Sequence, residues 1–344
     1  MYFTLVSTVF NEAKRLGQTI NDLKKQTLQP SEIIITDAGS TDGTYEMLNQ
    51  WAANSPIPIT IMQKHKCNVA EGRNIAIKAA KYDIIASMDF GCRFLPDWLE
   101  TIITPFSDPD VYVVGGAFSV DEKDQTTLAS KADYIMSNGY NINVLSGRFI
   151  PSSRSIAYKK SVFDEIGGYC EWLTLAGDDM VFGLQIAAHG YKTVNIPKPC
   201  VFWGRHKKAI GYKKEMFRYG LGNGEAHVDF NNFVSYILQA VFRILFVIGF
   251  LLLLVALYIK TSVVIPLAIM VFTVYSFRPY VNYLKKWVRF KSAKYNTAVL
   301  FYGFYLYEQT KIGYIRGYIK GYFFSTDTQK EEAILLKNKL FKGI

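Results

Sequence analysis

Asp178 and Asp179 stand side by side in Gly177-Asp178-Asp179-Met180-Val181-Phe182-Gly183-Leu184, after Gly167-Gly168-Tyr169 and at the head of a helical run. Two acids at a helix start favour the helix dipole and need do nothing more. Set among glycines and apolar residues, they also suit proton transfer. One would act as general base toward an incoming hydroxyl, and the other would orient neighbours or touch an acceptor. Asp37 lies in Asp37-Ala38-Gly39-Ser40-Thr41-Asp42-Gly43-Thr44. Its carboxylate can accept from a base N–H or a ribose hydroxyl, while Gly39 and Gly43 let the backbone approach a ligand. The plainer reading is a helix-capping turn. Thr8 and Asn11-Glu12 follow the first strand and add polar groups at a similar position. Arg73, after Glu71-Gly72, suits a pyrophosphate or a surface ion pair. Asp89, in Met88-Asp89-Phe90-Gly91-Cys92, can help hold a divalent cation against a diphosphate. Mg²⁺ and Mn²⁺ prefer several oxygens, and Gly91 supplies none.

Three further segments carry chemistry. Pro151-Ser152-Ser153-Arg154-Ser155 is compact and hydroxyl-rich, and Arg154 could hold a phosphate-bearing acceptor. In Glu215-Met216-Phe217-Arg218-Tyr219-Gly220, Arg218 and Tyr219 offer a cation and a stacking face to diphosphate or sugar. An interfacial helix against lipid headgroups reads equally well there. His206 is a single candidate metal ligand, and a lone His is more often a surface residue.

The elements that must position these residues alternate between strand and helix. Strands are expected at 2–8, 32–36, 58–63, 83–88, 111–119 and 193–196. Helices are expected at 11–26, 44–53, 69–81, 98–106, 159–166 and 180–189. Continuous apolar runs such as Ile33-Ile34-Ile35 and Ile84-Ile85-Ala86 mark strands covered on both faces. The pattern predicts an α/β fold with a mainly parallel sheet and helices on both faces. Ligands bind beyond the carboxyl ends of such strands, where Thr8, Asp37 and Asp89 fall.

Residues 233–277 are almost wholly apolar, with Arg243 and Lys260 the only charges. A bilayer core of about 30 Å needs about 20 helical residues. Residues 233–259 and 263–277, joined by Lys260-Thr261-Ser262, therefore read as a transmembrane hairpin, with Arg243 snorkelling to a headgroup. A buried pair of core helices is the alternative. The net charge of +10 gathers on both flanks, and residues 278–294 contain no acid. That pattern fits the positive-inside bias and anionic lipid. It does not point to nucleic acid, for which the chain shows no module. Residues 298–324 are aromatic-rich but interrupted by Glu308, Lys311, Arg316 and Lys320. They read as interfacial or re-entrant, with a third span as the alternative. The expected domains are 1–225, catalytic and cytosolic; 226–278, the hairpin; and 279–344, a basic, aromatic-rich interfacial region. Cys67, Cys92, Cys170 and Cys200 show no metal spacing and suit a reducing compartment. The start of the chain reads as a first strand rather than a signal peptide.

In order and spacing, Thr8 to Glu12, Asp37 to Thr44, Gly72-Arg73-Asn74, Asp89, Gly167-Gly168-Tyr169 and Gly177-Asp178-Asp179 resemble the family 2 glycosyltransferases over about residues 2–225. The 151–155 stretch and the C-terminal spans are most similar to membrane-anchored members of the succinoglycan-biosynthesis type. The resemblance implies a GT-A fold and an inverting transfer from a UDP- or GDP-sugar, with Mg²⁺ or Mn²⁺ as cofactor. The implied acceptor is a polyprenyl-diphosphate-linked saccharide. It places Thr8, Glu12, Asp37 and Arg73 around the nucleotide and Asp89 first in an Asp-x-Asp metal motif. Asp179 matches the catalytic base, and Glu215-x-x-Arg218-Tyr219 resembles a degenerate Gln-x-x-Arg-Trp motif. Ala38 stands where many members carry a second base-reading Asp, and Gly91 where they carry the second metal acid. Glu215 and Tyr219 speak against a polymerising synthase. A polyprenyl-phosphate sugar synthase, a nucleotidyltransferase and a non-catalytic nucleotide-sugar binder are the other readings.

Overall fold

The computed structural model describes residues 1–140, 144 and 149–341. The chain begins β1 (Thr4–Val9), α1 (Ala13–Lys24), β2 (Glu32–Asp37), α2 (Thr44–Ala53), β3 (Ile59–Gln63), α3 (Val69–Ala79) and β4 (Ile84–Ser87). It continues through β5 (Cys92–Phe94), α4 (Trp98–Ile103), β6 (Val113–Ser119), α5 (Leu128–Met136), β7 (Ile156–Lys159), α6 (Lys160–Ile166), α7 (Asp178–His189) and β8 (Thr193–Trp203). The remaining helices are α8 (Ala209–Glu225), α9 (Phe230–Tyr258), α10 (Val264–Thr273), α11 (Arg278–Phe290), α12 (Thr297–Phe323) and α13 (Asp327–Phe341). They fall into two compact units: Met1–Gln125, Gly139–Arg205 and Ser325–Ile344 in one, Thr126–Asn138 and His206–Phe324 in the other.

The first unit is built on one sheet in the order β3-β2-β1-β4-β7-β6-β8-β5. From β3 to β4 it is parallel, as the alternating pattern predicts. β7 then runs antiparallel to both β4 and β6. Side chains alternate across the strands. Leu5, Ile33 and Ile35 enter one core with Leu16 and Trp98; Val6 and Ile34 enter the other with Ile77, Val162 and Phe182. Both faces are thus covered, which explains the unbroken apolar runs.

The antiparallel turn at β7 matters for the site. Ser87 at the end of β4 pairs with Ile156 at the start of β7. The 151–155 loop therefore runs beside the residues that follow β4, including Asp89. Gly115 and Gly116 of β6 make room for it. A Cβ on Gly116 would lie 2.1 Å from Ser155 Oγ, and one on Gly115 would lie 2.8 Å from Pro151 Cγ.

β8 extends to Trp203, past the expected end at 196. Pro197 and Pro199 argue against a strand interior, since neither donates to a ladder. They fall where the β6–β8 register shifts, between Ile196 and Val201, and the ladder resumes beyond them.

In the second unit, α8 and α12 pack backbone to backbone. A Cβ on Gly313, Gly317 or Gly321 would lie 2.3, 2.0 or 2.2 Å from the carbonyl oxygen of Lys213, Phe217 or Leu221. Phe230–Tyr258 and the run Val264–Phe290 are long and apolar enough to cross a membrane. Arg243 has partners within the helices. Its Nη2 lies 3.2 Å from Glu308 Oε1 and its Nη1 donates to the Ser276 carbonyl at 3.2 Å. A counter-charge from α12 satisfies it within the helix packing.

Candidate functional site

The site begins with the helix α3. Asn68 caps it, accepting from the Glu71 backbone N–H at 2.8 Å. Gly72 then passes so close to β1 that a Cβ there would lie 2.3 Å from Thr8 Oγ1. That approach aims the next two side chains under the neighbouring turns. Asn74 Nδ2 donates to the Tyr169 carbonyl at 2.8 Å, and its Oδ1 accepts from the Tyr169 N–H at 2.9 Å. This pair of hydrogen bonds fixes the Gly167-Gly168-Tyr169 turn, where both glycines have positive φ.

Arg73 is buried, and its guanidinium serves two carboxylates. One Nη bonds Asp178, and Nη2 bonds Asp89 Oδ1 at 2.5 Å. The guanidinium also lies 5.4 Å from the Tyr169 ring centroid. Asp178 is buried, and burial raises its carboxyl above the usual range against the pull of Arg73, with Asp179 and Asp89 pushing the same way as burial. Burial also disfavours the charged form of Asp89, but Arg73 and Arg154 outweigh it and hold that carboxyl below its usual value. Arg73 thus ties the start of α7 to the turn after β4 and is itself covered.

Asp179, one residue on, is half-buried. Ser152 Oγ donates to its Oδ2 at 3.0 Å. The same Ser152 Oγ accepts from Arg154 Nη1 at 2.9 Å, which directs the serine proton to Asp179. Arg154 Nε lies 3.9 Å from Asp89 Oδ2. One polar chain therefore runs Asp179–Ser152–Arg154–Asp89–Arg73–Asp178. It joins two acids at the start of α7, the 151–155 loop and the end of β4. A half-exposed carboxylate next to guanidiniums can take a proton from a hydroxyl and keep its own orientation.

The nucleotide candidates stand at the ends of β1 and β2. Asp37 is fully buried. Its Oδ2 accepts from the Gly39 and Ser40 backbone N–H groups, both at 3.0 Å, and from Gln63 Nε2 at 3.1 Å. Its Oδ1 has no hydrogen-bond partner among the described residues. Asp37 shapes the turn that Asn11 and Ser40 also lace to β1, with the Asn11 N–H donating to Ser40 Oγ at 2.9 Å. Thr8 Oγ1 donates to the Thr36 carbonyl at 3.2 Å. Glu12 precedes α1; burial raises its carboxyl above the usual value against Arg15.

Where an Asp-x-Asp motif carries its second acid, a Cβ on Gly91 would lie 3.4 Å from Glu12 Oε2 and 3.3 Å from Arg15 Nη1. Among the described residues no three His, Cys, Asp or Glu side chains gather as a metal cage. Asp89 offers two carboxylate oxygens there, one bonded by Arg73 and the other 3.9 Å from Arg154 Nε.

His206, Arg218 and Tyr219 belong to the second unit. There His206 Nε2 lies 3.0 Å from Glu215 Oε2, and Tyr219 donates to Glu215 Oε1 at 3.0 Å. Arg218 is exposed. In the first unit, Trp203 and Arg205 join the site without having been expected there. Arg154 Cζ lies 4.0 Å from the Trp203 ring centroid, and Arg205 Cζ lies 4.0 Å from it too. Their signal, an aromatic at a strand end next to a cation, was hidden by the two prolines before it.

Comparison with known proteins gives the same picture. Residues 4–167 match the family model of glycosyl transferase family 2. The O-antigen chain rhamnosyltransferase WbaN of Salmonella anatum is 28% identical over 228 residues, 63% of this chain and 70% of that one. RfbN of Salmonella typhimurium, also an O-antigen chain rhamnosyltransferase, is 27% identical over 229 residues, 64% of this chain and 70% of that one. Among solved structures, the mannosyltransferase PcManGT from Pyrobaculum calidifontis, in complex with GDP-Man and Mn²⁺, superposes with a TM-score of 0.55 at 16% identity. That match covers 94% of this chain and 88% of PcManGT and is a likeness of fold. With the sheet, the strand-end acids and the family match in agreement, residues 4–167 form a glycosyl transferase family 2 domain.

Proposed function

We propose that this enzyme transfers a sugar, with inversion, from a nucleotide-sugar donor (UDP- or GDP-linked) to a saccharide carried on a polyprenyl diphosphate, in the synthesis of a cell-surface polysaccharide. The observation that carries the reading is Asp179, half-buried and oriented by Ser152 at 3.0 Å. Asp179 takes the proton of the acceptor hydroxyl as its oxygen attacks the anomeric carbon. The bond to the diphosphate breaks, and Arg154 offsets the charge that develops there. Asp178 and Arg73 position rather than react, since each is buried in their mutual ion pair. Asp89 would hold a divalent cation, which when bound neutralises diphosphate charge. Thr8, Glu12 and Asp37 line the strand ends assigned to the nucleotide.

The relatives' names support an acceptor in polysaccharide assembly, and the GDP-Man and Mn²⁺ in PcManGT support the donor class and the cation. Two helices long and apolar enough to span support a multi-pass membrane protein, and basic flanks support a cytoplasmic catalytic unit. Arg218, Tyr219 and His206 are assigned to acceptor or cation contacts in the same reading. Asp179→Asn lowers turnover by about 10²- to 10⁴-fold, with donor binding retained. Release of nucleoside diphosphate, measured in detergent across a donor panel with and without Mn²⁺, checks it. Undiminished turnover in that variant would favour a lipid-phosphate acceptor, which needs no strong base.

A further inference from the structure

The geometry points to a diphosphate clamp made by Arg154, Trp203 and Arg205 at the edge of the site. It deepens the glycosyl-transfer reading, on which the origin of the diphosphate rests. Arg154 Cζ and Arg205 Cζ are each 4.0 Å from the centroid of the Trp203 ring. Sharing one ring, the two guanidiniums lie no more than about 8 Å apart, twice the 4.0 Å distance. Phe118 supports Arg154 at 5.3 Å and Tyr140 supports Arg205 at 5.5 Å.

Aromatic contacts of this kind restrict a long side chain and replace part of its hydration, which strengthens its grip on a phosphate. The pair also selects. A single phosphoryl group has less charge and fewer oxygens than a diphosphate to divide between two guanidiniums. Two linked phosphoryl groups can bond one guanidinium each. The clamp is joined to the chemistry at one end, through Arg154 to Asp89 and through Ser152 to Asp179. Trp203 is held there by its pairing with Cys92, three residues beyond Asp89.

A diphosphate reaches this site either as the leaving group of the donor or as the carrier of the acceptor. Calorimetry on the full chain in detergent, with a chelator present, measures inorganic pyrophosphate against inorganic phosphate. The wild type is expected to bind pyrophosphate at least about tenfold tighter than phosphate. Arg205→Gln and Trp203→Leu should each lose about tenfold for pyrophosphate with little change for phosphate, while the charge control Lys24→Gln matches the wild type. Arg205 is half-exposed, so its variant keeps the test open if the tryptophan variant fails to fold. Equal binding of the two anions by the wild type, or an Arg205→Gln loss no larger than that of the control, overturns the clamp. GDP, UDP and geranyl diphosphate separate the sources: a loss confined to geranyl diphosphate assigns the clamp to the carrier, and a loss for the nucleotides assigns it to the donor. Asp179→Asn should bind pyrophosphate normally. Normal turnover in that variant would sink the proton-transfer reading and leave the clamp standing.

Discussion

Arg73 concentrates the residue-scale energetics. One buried guanidinium satisfies Asp178 and Asp89, so its removal strands Asp178, only 6% exposed, and leaves Asp89 facing Arg154 at 3.9 Å. Breaking a buried ion pair from one side costs about 3–5 kcal/mol. Arg73→Met should therefore lower the unfolding midpoint sharply, and Asp178→Asn added to it should recover part of the loss, both read in thermal scans. Neither effect would occur if Arg73 served mainly to meet a ligand. The sequence showed Arg73 as a cation at a helix head but not what it pairs with, because Asp178 is 105 positions away. The acids were more legible. Asp179 and Asp178 stood out by adjacency, Asp37 and Asp89 by strand ends. What separates their roles is burial and partners: Ser152 for Asp179, Arg73 for Asp178, backbone amides for Asp37. Spacing carries none of that.

At the scale of elements, the glycines of α12 are the clearest case of geometry written in composition. Gly313, Gly317 and Gly321 recur every fourth residue, and the structure sets all three against carbonyls of α8. A side chain at the middle position must push the helices apart. Gly317→Val should lower the thermal midpoint of the chain, whereas the same change at Gly17, whose Cβ would meet nothing within 4 Å, should cost only helix propensity. Equal shifts would reject the close packing. The long periodic helices and buried strands were readable from pattern alone. The short strands β5 and β7, three and four residues long, were not, since such segments carry too few alternations to register. α13 was missed for a different reason. Its residues are mixed rather than amphipathic, and it is held by contacts such as Gln329 Nε2 to the Trp172 carbonyl at 2.9 Å.

At the scale of the whole molecule, the chain couples a GT-A-like sheet to helices with lipid-compatible surfaces. Leu252 in α9 is 45% exposed, as are many of its apolar neighbours, a continuous apolar face of the kind that suits lipid. Leu252→Arg places a charge within that face, at an insertion cost of about 2.5–3.5 kcal/mol. The fraction of chain resisting carbonate extraction from membranes should fall, and no change would argue that α9 does not cross. Arg243 meets the same requirement in the native chain by a different means, through Glu308. The acid that neutralises it is made 65 positions later. A nascent chain halted between the two has both apolar helices and an orphan cation inside one of them. That cation gains its carboxylate partner when α12 is made, so the charge balance of α9 is completed late in the chain.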